Sequence, residues 1–515
     1  MTDSPSAPHS RAAVIDLGSN SLKLVNYNVS SDNNYKPYHH ESVRVRLGEG
    51  LEDGVLRPKY VDRTVDALKL FRNIVDFEQI DYVVCIATSA ARDAKNRDEL
   101  LEQIHKHAGF SFTILSEWEE AAYSYAGASR ALRIPTAVFF DIGGGSLEIV
   151  YAEQYEIKKM ASLPLGTLRL RQAFCGKRGS FTSEEYRDMK RHAASLLPSR
   201  EALGVTGDVP IVGVGGVLRA IAKHDQAVSQ YPLSKVHNYR LSADSIKKTA
   251  GQLSGLSVEK IARIESIGAG RADTVQPGAC AISELVKKMG GREVIVSAQG
   301  LREGALAVSL QGPRRFRGGH TACTHLARDV ICLASHPDTL SEYVEDLVRL
   351  LFSMDLVSEH ERLLLAQSIL QMGRLSLFRE ADNVLHSILD DDSPLSHRDQ
   401  LVIALSLIYS KKRKKAESLM AKYARLVDSA DRKTIKKISS IVSVCDIFHK
   451  TGTRVLPSAG GSVLSLAVHP SGNAFPEALF GRACERMEGA LNISVRPSVL
   501  YADRTGSRTR PLGIV

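Results

Sequence analysis

Two segments of this chain follow one plan, and that duplication limits the fold more than any other feature. Ala12 to Asn28 reads as an apolar run ending in Asp16, a turn at Gly18-Ser19-Asn20-Ser21, and a second apolar run. Thr136 to Tyr151 repeats the order with Asp141, the turn Gly143-Gly144-Gly145-Ser146 and Glu148. Each predicts a β-hairpin whose turn lifts an acidic residue and bare amides off a sheet. A repeat of this kind implies two similar lobes facing one another, with Asp16 and Asp141 across a shared cleft.

The intervening chain alternates strand and helix patterns, which argues for an α/β layer structure. Helices are predicted at Pro58 to Phe77, near Arg97 to Ala108 and at Glu117 to Ala131, with strands at Tyr82 to Ala87 and Phe112 to Leu115. Val209 to Ala222 reads as strand, glycine turn and helix start, and Arg292 to Ser297 as a further strand. At 515 residues the chain exceeds a single core, since cores stop growing near roughly 250 to 300 residues. We place the lobes at 12–130 and 131–312, with the basic turn-rich Pro313 to Gly319 as the junction. A helical region at 313–450 and a small α/β domain at 451–505 complete the expected order.

The opening residues lack the basic start and apolar stretch of a signal peptide, and no run approaches the ~18 apolar residues of a membrane span. A soluble, cytoplasmic protein with no membrane partner is expected. Seven cysteines without a CxxC pair fit reduced thiols better than disulfides or a zinc site. The formal charge of +9 favours anionic partners without choosing among them. It concentrates between Lys411 and Lys437, beginning with Lys411, Lys412, Arg413, Lys414 and Lys415.

Glycine-rich turns before strands or helices offer backbone N–H groups to anions. Here they are Gly18 to Ser21, Gly143 to Ser146, and Gly213 to Gly216 with Gly215 and Gly216 at its end. Together they predict a phosphate cradle. Carboxylates beside such a cradle make sense with a cation between them, so Asp141 and Glu148, with Asp16 facing them, form the expected Mg²⁺ set. Mn²⁺ and a supporting monovalent ion stay open. Arg92, after a buried strand, is placed to pair with phosphate oxygens. Glu117, Glu119 and Glu120 open a helix, where negative charge is favoured regardless of function. A general base aimed into the cleft is the other role open to Glu119 or Glu120, and spacing does not choose between them.

These residues together resemble the exopolyphosphatase / guanosine pentaphosphate phosphohydrolase (Ppx/GppA) family of the actin-like ATPase superfamily. The likeness runs through Val14-Ile-Asp-Leu-Gly-Ser-Asn-Ser21, Ala87-Thr-Ser-Ala-Ala-Arg92, Ser116-Glu-Trp-Glu-Glu-Ala121, Phe140-Asp-Ile-Gly-Gly-Gly-Ser-Leu-Glu148, Gly213-Val-Gly-Gly216, Arg271-Ala-Asp-Thr-Val-Gln-Pro-Gly278 and Ser297-Ala-Gln-Gly-Leu-Arg-Glu-Gly304. It implies duplicated actin-like (ribonuclease H-like) lobes and a long form with an HD-like helical region. That region lacks a His-Asp pair here, the chain's single such dipeptide being His224-Asp225 in the second lobe. The resemblance points to Glu120 as the base, Arg92 as the family's arginine and Glu148 as its second acidic position. Leu147 and Val214-Gly215-Gly216 depart from the family's usual Thr and Ala-Ser-Gly.

The implied activity is release of terminal orthophosphate from inorganic polyphosphate, with Lys411 to Lys415 as a channel for the chain. The second substrate within that chemistry is guanosine pentaphosphate (pppGpp). No nucleic-acid partner is expected, and a homodimer is implied. Competing classes are an ATP-driven kinase or chaperone-like ATPase, and a non-catalytic polyphosphate-binding regulator.

Overall fold

The structure, a computed structural model, describes residues 10–31, 33–175, 180–311, 342–374, 378, 380–470, 475–501 and 508–511. It divides into two compact units, Met1–Ser335 and His336–Val515. The predicted junction at Pro313 to Gly319 lies outside the described residues.

The first lobe contains β1 (Arg11–Leu17), β2 (Leu22–Val29), β3 (Tyr35–Val43), the short pair β4 (Leu51–Glu52) and β5 (Val55–Leu56), α1 (Pro58–Phe77), β6 (Tyr82–Ala87), α2 (Ser89–Arg92), α3 (Arg97–Ala108) and β7 (Thr113–Ile114). Its main sheet runs β3-β2-β1-β6-β7, antiparallel on the hairpin side and parallel beyond β1. After α4 (Glu117–Leu132) come β8 (Ala137–Ile142), β9 (Leu147–Glu153), β10 (Glu156–Leu163), α5 (Thr167–Cys175), α6 (Ser183–Leu196), α7 (Arg200–Leu203), β11 (Ile211–Val214), α8 (Gly216–Val228), β12 (Tyr239–Ser242), α9 (Ala243–Ser254), α10 (Val258–Ala262), α11 (Val275–Lys288), β13 (Glu293–Val296) and α12 (Leu301–Ser309). The second sheet, β10-β9-β8-β11-β13-β12, repeats the first one's order and directions and adds one antiparallel edge strand. The duplication read from two hairpins therefore extends to whole sheets.

β1 and β8 are central, and their near-continuous apolar runs suit strands covered on both faces. In the first lobe, one face packs on Val61, Leu68 and Phe71 of α1 and Leu100 and Ile104 of α3. The other face receives Ala305 and Leu306 of α12 against Ala12, Val14 and Tyr27. In the second lobe α11 supplies Cys280, Ile282 and Leu285 to one core. The opposite face takes Ala122, Tyr125 and Ala126 of α4 against Phe139, Val150 and Val212. Two helices thus lie between the sheets, one beneath each lobe.

The described residues of the second unit up to Thr451 form the helices Glu342–Ser353, Glu359–Leu370, Ala381–Leu389, His397–Lys411, Arg413–Lys422 and Ser429–Thr451. The unit ends in a sheet β14 (Arg454–Gly460), β15 (Val463–His469), β16 (Ser494–Tyr501) and β17 (Arg508–Pro511), with the helix Glu477–Leu491 between β15 and β16. No described helix is long and apolar enough to cross a membrane. The five described cysteines are free and buried.

Candidate active site

The two duplicated turns close in the same way. Gly18 donates its N–H to Ser21 O at 3.2 Å, and Gly143 donates to Ser146 O at 3.0 Å. They face each other across a cavity of about 130 Å³ lined by Asp16, Glu120, Asp141, Glu148 and both glycine turns. The turns touch: a side chain on Gly144 would stand 3.2 Å from Ser19 Cβ, and one on Gly145 would collide with Ser89 Oγ. Ser89 and Ser19 share a hydrogen bond of 2.7 Å. Gly215 and Gly216 complete the floor, for two different reasons. The first sits at φ +117°, and a Cβ on the second would occupy the Arg271 guanidinium.

Asp141 and Glu148 are cross-strand partners in β8 and β9, so both side chains project from one face. Asp141 accepts from Ser124 Oγ at 2.5 Å and Glu148 from Ser162 Oγ at 3.1 Å. Burial raises both pKa values, and for Glu148 the nearby Glu120 and Asp141 push further. Such a crowded acidic pair is chemically suited to a hard divalent cation. Among the described residues no group of three or more His, Cys, Asp or Glu is arranged to hold a metal. Asp16 lines the same cavity from the first lobe, with Arg302 Nη1 3.5 Å from its carboxylate. Asp16, Asp141 and Glu148 all line the cavity, and phosphate oxygens and water would complete any coordination.

Glu119 and Glu120 are held differently. Ser116 caps α4: its hydroxyl accepts from Glu119 N at 3.2 Å, while Glu119 Oε2 accepts from Ser116 N at 2.8 Å. Glu119 is thereby occupied at the helix start. Glu120, one position on, lines the cavity and pairs with Arg92 at 2.9 Å. Burial pushes its pKa up to about 7 despite the arginine, because desolvation outweighs the pairing. Arg92 also donates to Leu115 O at 2.9 Å, which fixes its direction.

Four cationic side chains in the cleft carry no site assignment from the sequence: Lys23, Arg219, Arg271 and Arg302. Lys23 is the cross-strand partner of Asp16, the position Glu148 holds beside Asp141. Its inward direction was legible from the two-residue period of the strand. Burial, then Arg302, lowers its pKa to about 7. Burial also lowers Arg219 to about 10.

The basic run Lys411 to Lys415 belongs to the second unit and is not a row of uncommitted charges. Lys411 pairs with Asp446, Lys412 with Glu380 at 3.8 Å, Arg413 with Glu417 at 3.0 Å and Lys415 with Asp382 at 2.8 Å.

Amide-lined turns, paired carboxylates and a cationic wall between like lobes define a phosphoanhydride hydrolase. The chain matches 28% of positions over 318 residues of "Exopolyphosphatase 2" from Mycobacterium tuberculosis, covering 59% of this chain and 99% of that one. It matches 25% over 256 residues of a guanosine-5'-triphosphate,3'-diphosphate pyrophosphatase from Vibrio vulnificus, covering 48% and 51%. A solved exopolyphosphatase from Cytophaga hutchinsonii shares the fold with a TM-score of 0.55 at 24% identity, over 59% of this chain and 99% of that one. A sequence model of the Ppx/GppA phosphatase family covers residues 28–312, and the chain belongs to that family.

Proposed function

We propose that this chain releases terminal orthophosphate from inorganic polyphosphate, with Glu120 as general base. The carrying observation is a buried carboxylate, held by Arg92 and raised to about 7, beside two facing amide turns. In this reading the terminal phosphate lies between Gly18 to Ser21 and Gly143 to Ser146. Ionised Glu120 takes a proton from water as its oxygen attacks phosphorus, and the anhydride P–O bond on the far side breaks. The departing chain carries the negative charge, which Lys23, Arg219, Arg271 and Arg302 are placed to offset. Asp141 and Glu148, with Asp16 facing them, would hold Mg²⁺ or Mn²⁺, which when bound supplies further charge neutralisation at the phosphate oxygens. The test is Glu120→Gln. Phosphate release should fall by about 10² to 10⁴-fold while substrate binding persists. Full turnover in the variant would remove the assignment.

A specific observation favours pppGpp as a second substrate. A side pocket of about 1240 Å³ joins the cleft, the two sharing Gly216, Arg219, Arg271 and Ala298. Tyr231, Pro232, Leu233, Val236 and Ile267 give it apolar walls, which inorganic polyphosphate does not need and a nucleoside does. Leu233→Glu should lower kcat/KM for pppGpp and leave polyphosphate unchanged. Equal effects on both substrates would assign the pocket no part in substrate choice.

A further inference from the structure

The helices between the two sheets exchange lobes. α4 follows the first lobe in the chain but packs beneath the second sheet, where Tyr125 stacks edge-on against Phe139 with ring centroids 4.7 Å apart. α12 follows the last strands of the second lobe but packs beneath the first sheet. It is tied there by tyrosine hydroxyls: Tyr27 donates to Glu303 Oε1 at 2.8 Å, Tyr35 to Glu303 O at 3.0 Å, and Tyr82 to Ser309 O at 2.9 Å. Where the helices cross, backbone meets backbone. A Cβ on Gly127 of α4 would overlap Gly300 O and stand 2.9 Å from Gly304 N. A Cβ on Gly304 of α12 would overlap Tyr123 O and stand 3.1 Å from Gly127 N. Neither neighbour is a side chain able to turn aside.

Each helix also delivers a cleft residue from its first turn. α4 presents Glu120 two turns before Gly127 on the same helical face, and α12 presents Arg302 two residues before Gly304. We propose that the side-chain-free crossing at Gly127 and Gly304 is a positioning device for the reaction, holding Glu120 of one helix in register with Arg302 and Asp16 across the cleft. This rests on the role proposed for Glu120. One methyl group at either glycine must part the helices by on the order of 1 Å, because carbon settles no closer than about 3.3 Å to a carbonyl oxygen. A shift of that size at a base can lower turnover by about 10²-fold.

The test uses the full chain with Gly127→Ala, Gly304→Ala and a control, Gly251→Ala. Gly251 is also helical, but an added methyl there meets nothing within 4 Å. Folded crossing variants should lose about 10²-fold in kcat with KM changed less than about threefold, and the control should match the parent. Each is then combined with Glu120→Asp, which shortens the base. Positioning through the crossing predicts that the two losses do not multiply. Independent losses, or folded crossing variants with parental kcat, would overturn the proposal. If the glycine variants do not fold, Tyr35→Phe with Tyr82→Phe decides, since it loosens α12 from the first sheet without touching the cleft. A drop in kcat at unchanged KM supports the device, and parental kcat sinks it. Full activity in Glu120→Gln would instead remove the base assignment, which separates the two failures.

Discussion

The elevated pKa of Glu120 links activity to stability, and Glu120→Gln separates the two. An unfolded glutamate ionises near 4.5, and in the fold the same group ionises near 7 because burial disfavours its charge. Below about pH 4.5 it is protonated in both states. Between 4.5 and 7 the unfolded chain releases its proton while the native state resists, so native stability falls as pH rises, and the loss is complete above the folded value. At about 1.4 kcal/mol per unit, the difference amounts to roughly 3 kcal/mol. Glutamine does not ionise and its amide oxygen still accepts from Arg92. Relative to the parent, the variant should therefore gain roughly 1 to 3 kcal/mol between pH 5 and pH 8, discounted because Glu148 and Asp141 titrate in the same field. The chain's single tryptophan, Trp118, stands two residues before Glu120 on α4, so urea unfolding followed by its fluorescence reports on this unit. A stability difference between variant and parent that is the same at pH 5 and pH 8 would refute the elevated pKa, and with it the claim that a buried base waits here.

The same titration predicts that turnover rises with pH through about 7 as Glu120 ionises, measured as kcat/KM for phosphate release across pH 5.5 to 8.5, and that this limb disappears in Glu120→Gln. Gly145→Ala places a methyl group against Ser89 Oγ, the hydrogen-bond partner of Ser19 in the facing turn, so kcat/KM for phosphate release should fall by at least about 10-fold in the folded variant. Asp141→Asn should raise the Mg²⁺ concentration needed for half-maximal activity, read by titrating the metal at saturating substrate, because one of two paired carboxylates is lost. A channel for the chain at Lys411 to Lys415 predicts that charge reversal at Lys411, Lys412 and Lys414 lowers polyphosphate affinity and flattens its salt dependence, and an unchanged slope would remove the channel.

What could be read directly follows the physics of each element. α1, β6 and α3 begin and end where apolar period and turn residues placed them, because their buried faces are contiguous in the chain. β3, Tyr-Lys-Pro-Tyr-His-His-Glu-Ser-Val, has no apolar run and only half-buried positions alternating with exposed ones. It is a strand because the outer edge of β2 offers unpaired backbone groups, a fact absent from its own residues. The acidic half of the cleft was legible because Asp16 and Asp141 sit beside glycine turns. The basic half was not, since Arg271 and Arg302 lie more than 250 residues from Asp16 and meet it only in the folded lobes. Glu119 and Glu120 are equivalent by composition, and a hydrogen bond to Ser116 separates them.

The duplication is more exact in backbone than in charge. In the first hairpin the residue opposite the aspartate is Lys23, and in the second it is Glu148. Two identical hairpins would give a cleft with the same charge on both walls and no preferred direction for a polyanion. Lys23 and, from α12, Arg302 stand beside Asp16, while Asp141 and Glu148 stand with Glu120 of α4. A phosphoanhydride needs cations where the leaving oxygen gathers charge and a carboxylate where water loses its proton. A duplicated fold can meet both demands only by breaking its own symmetry, and here the Lys23/Glu148 position and the two helices carrying Arg302 and Glu120 differ between the lobes.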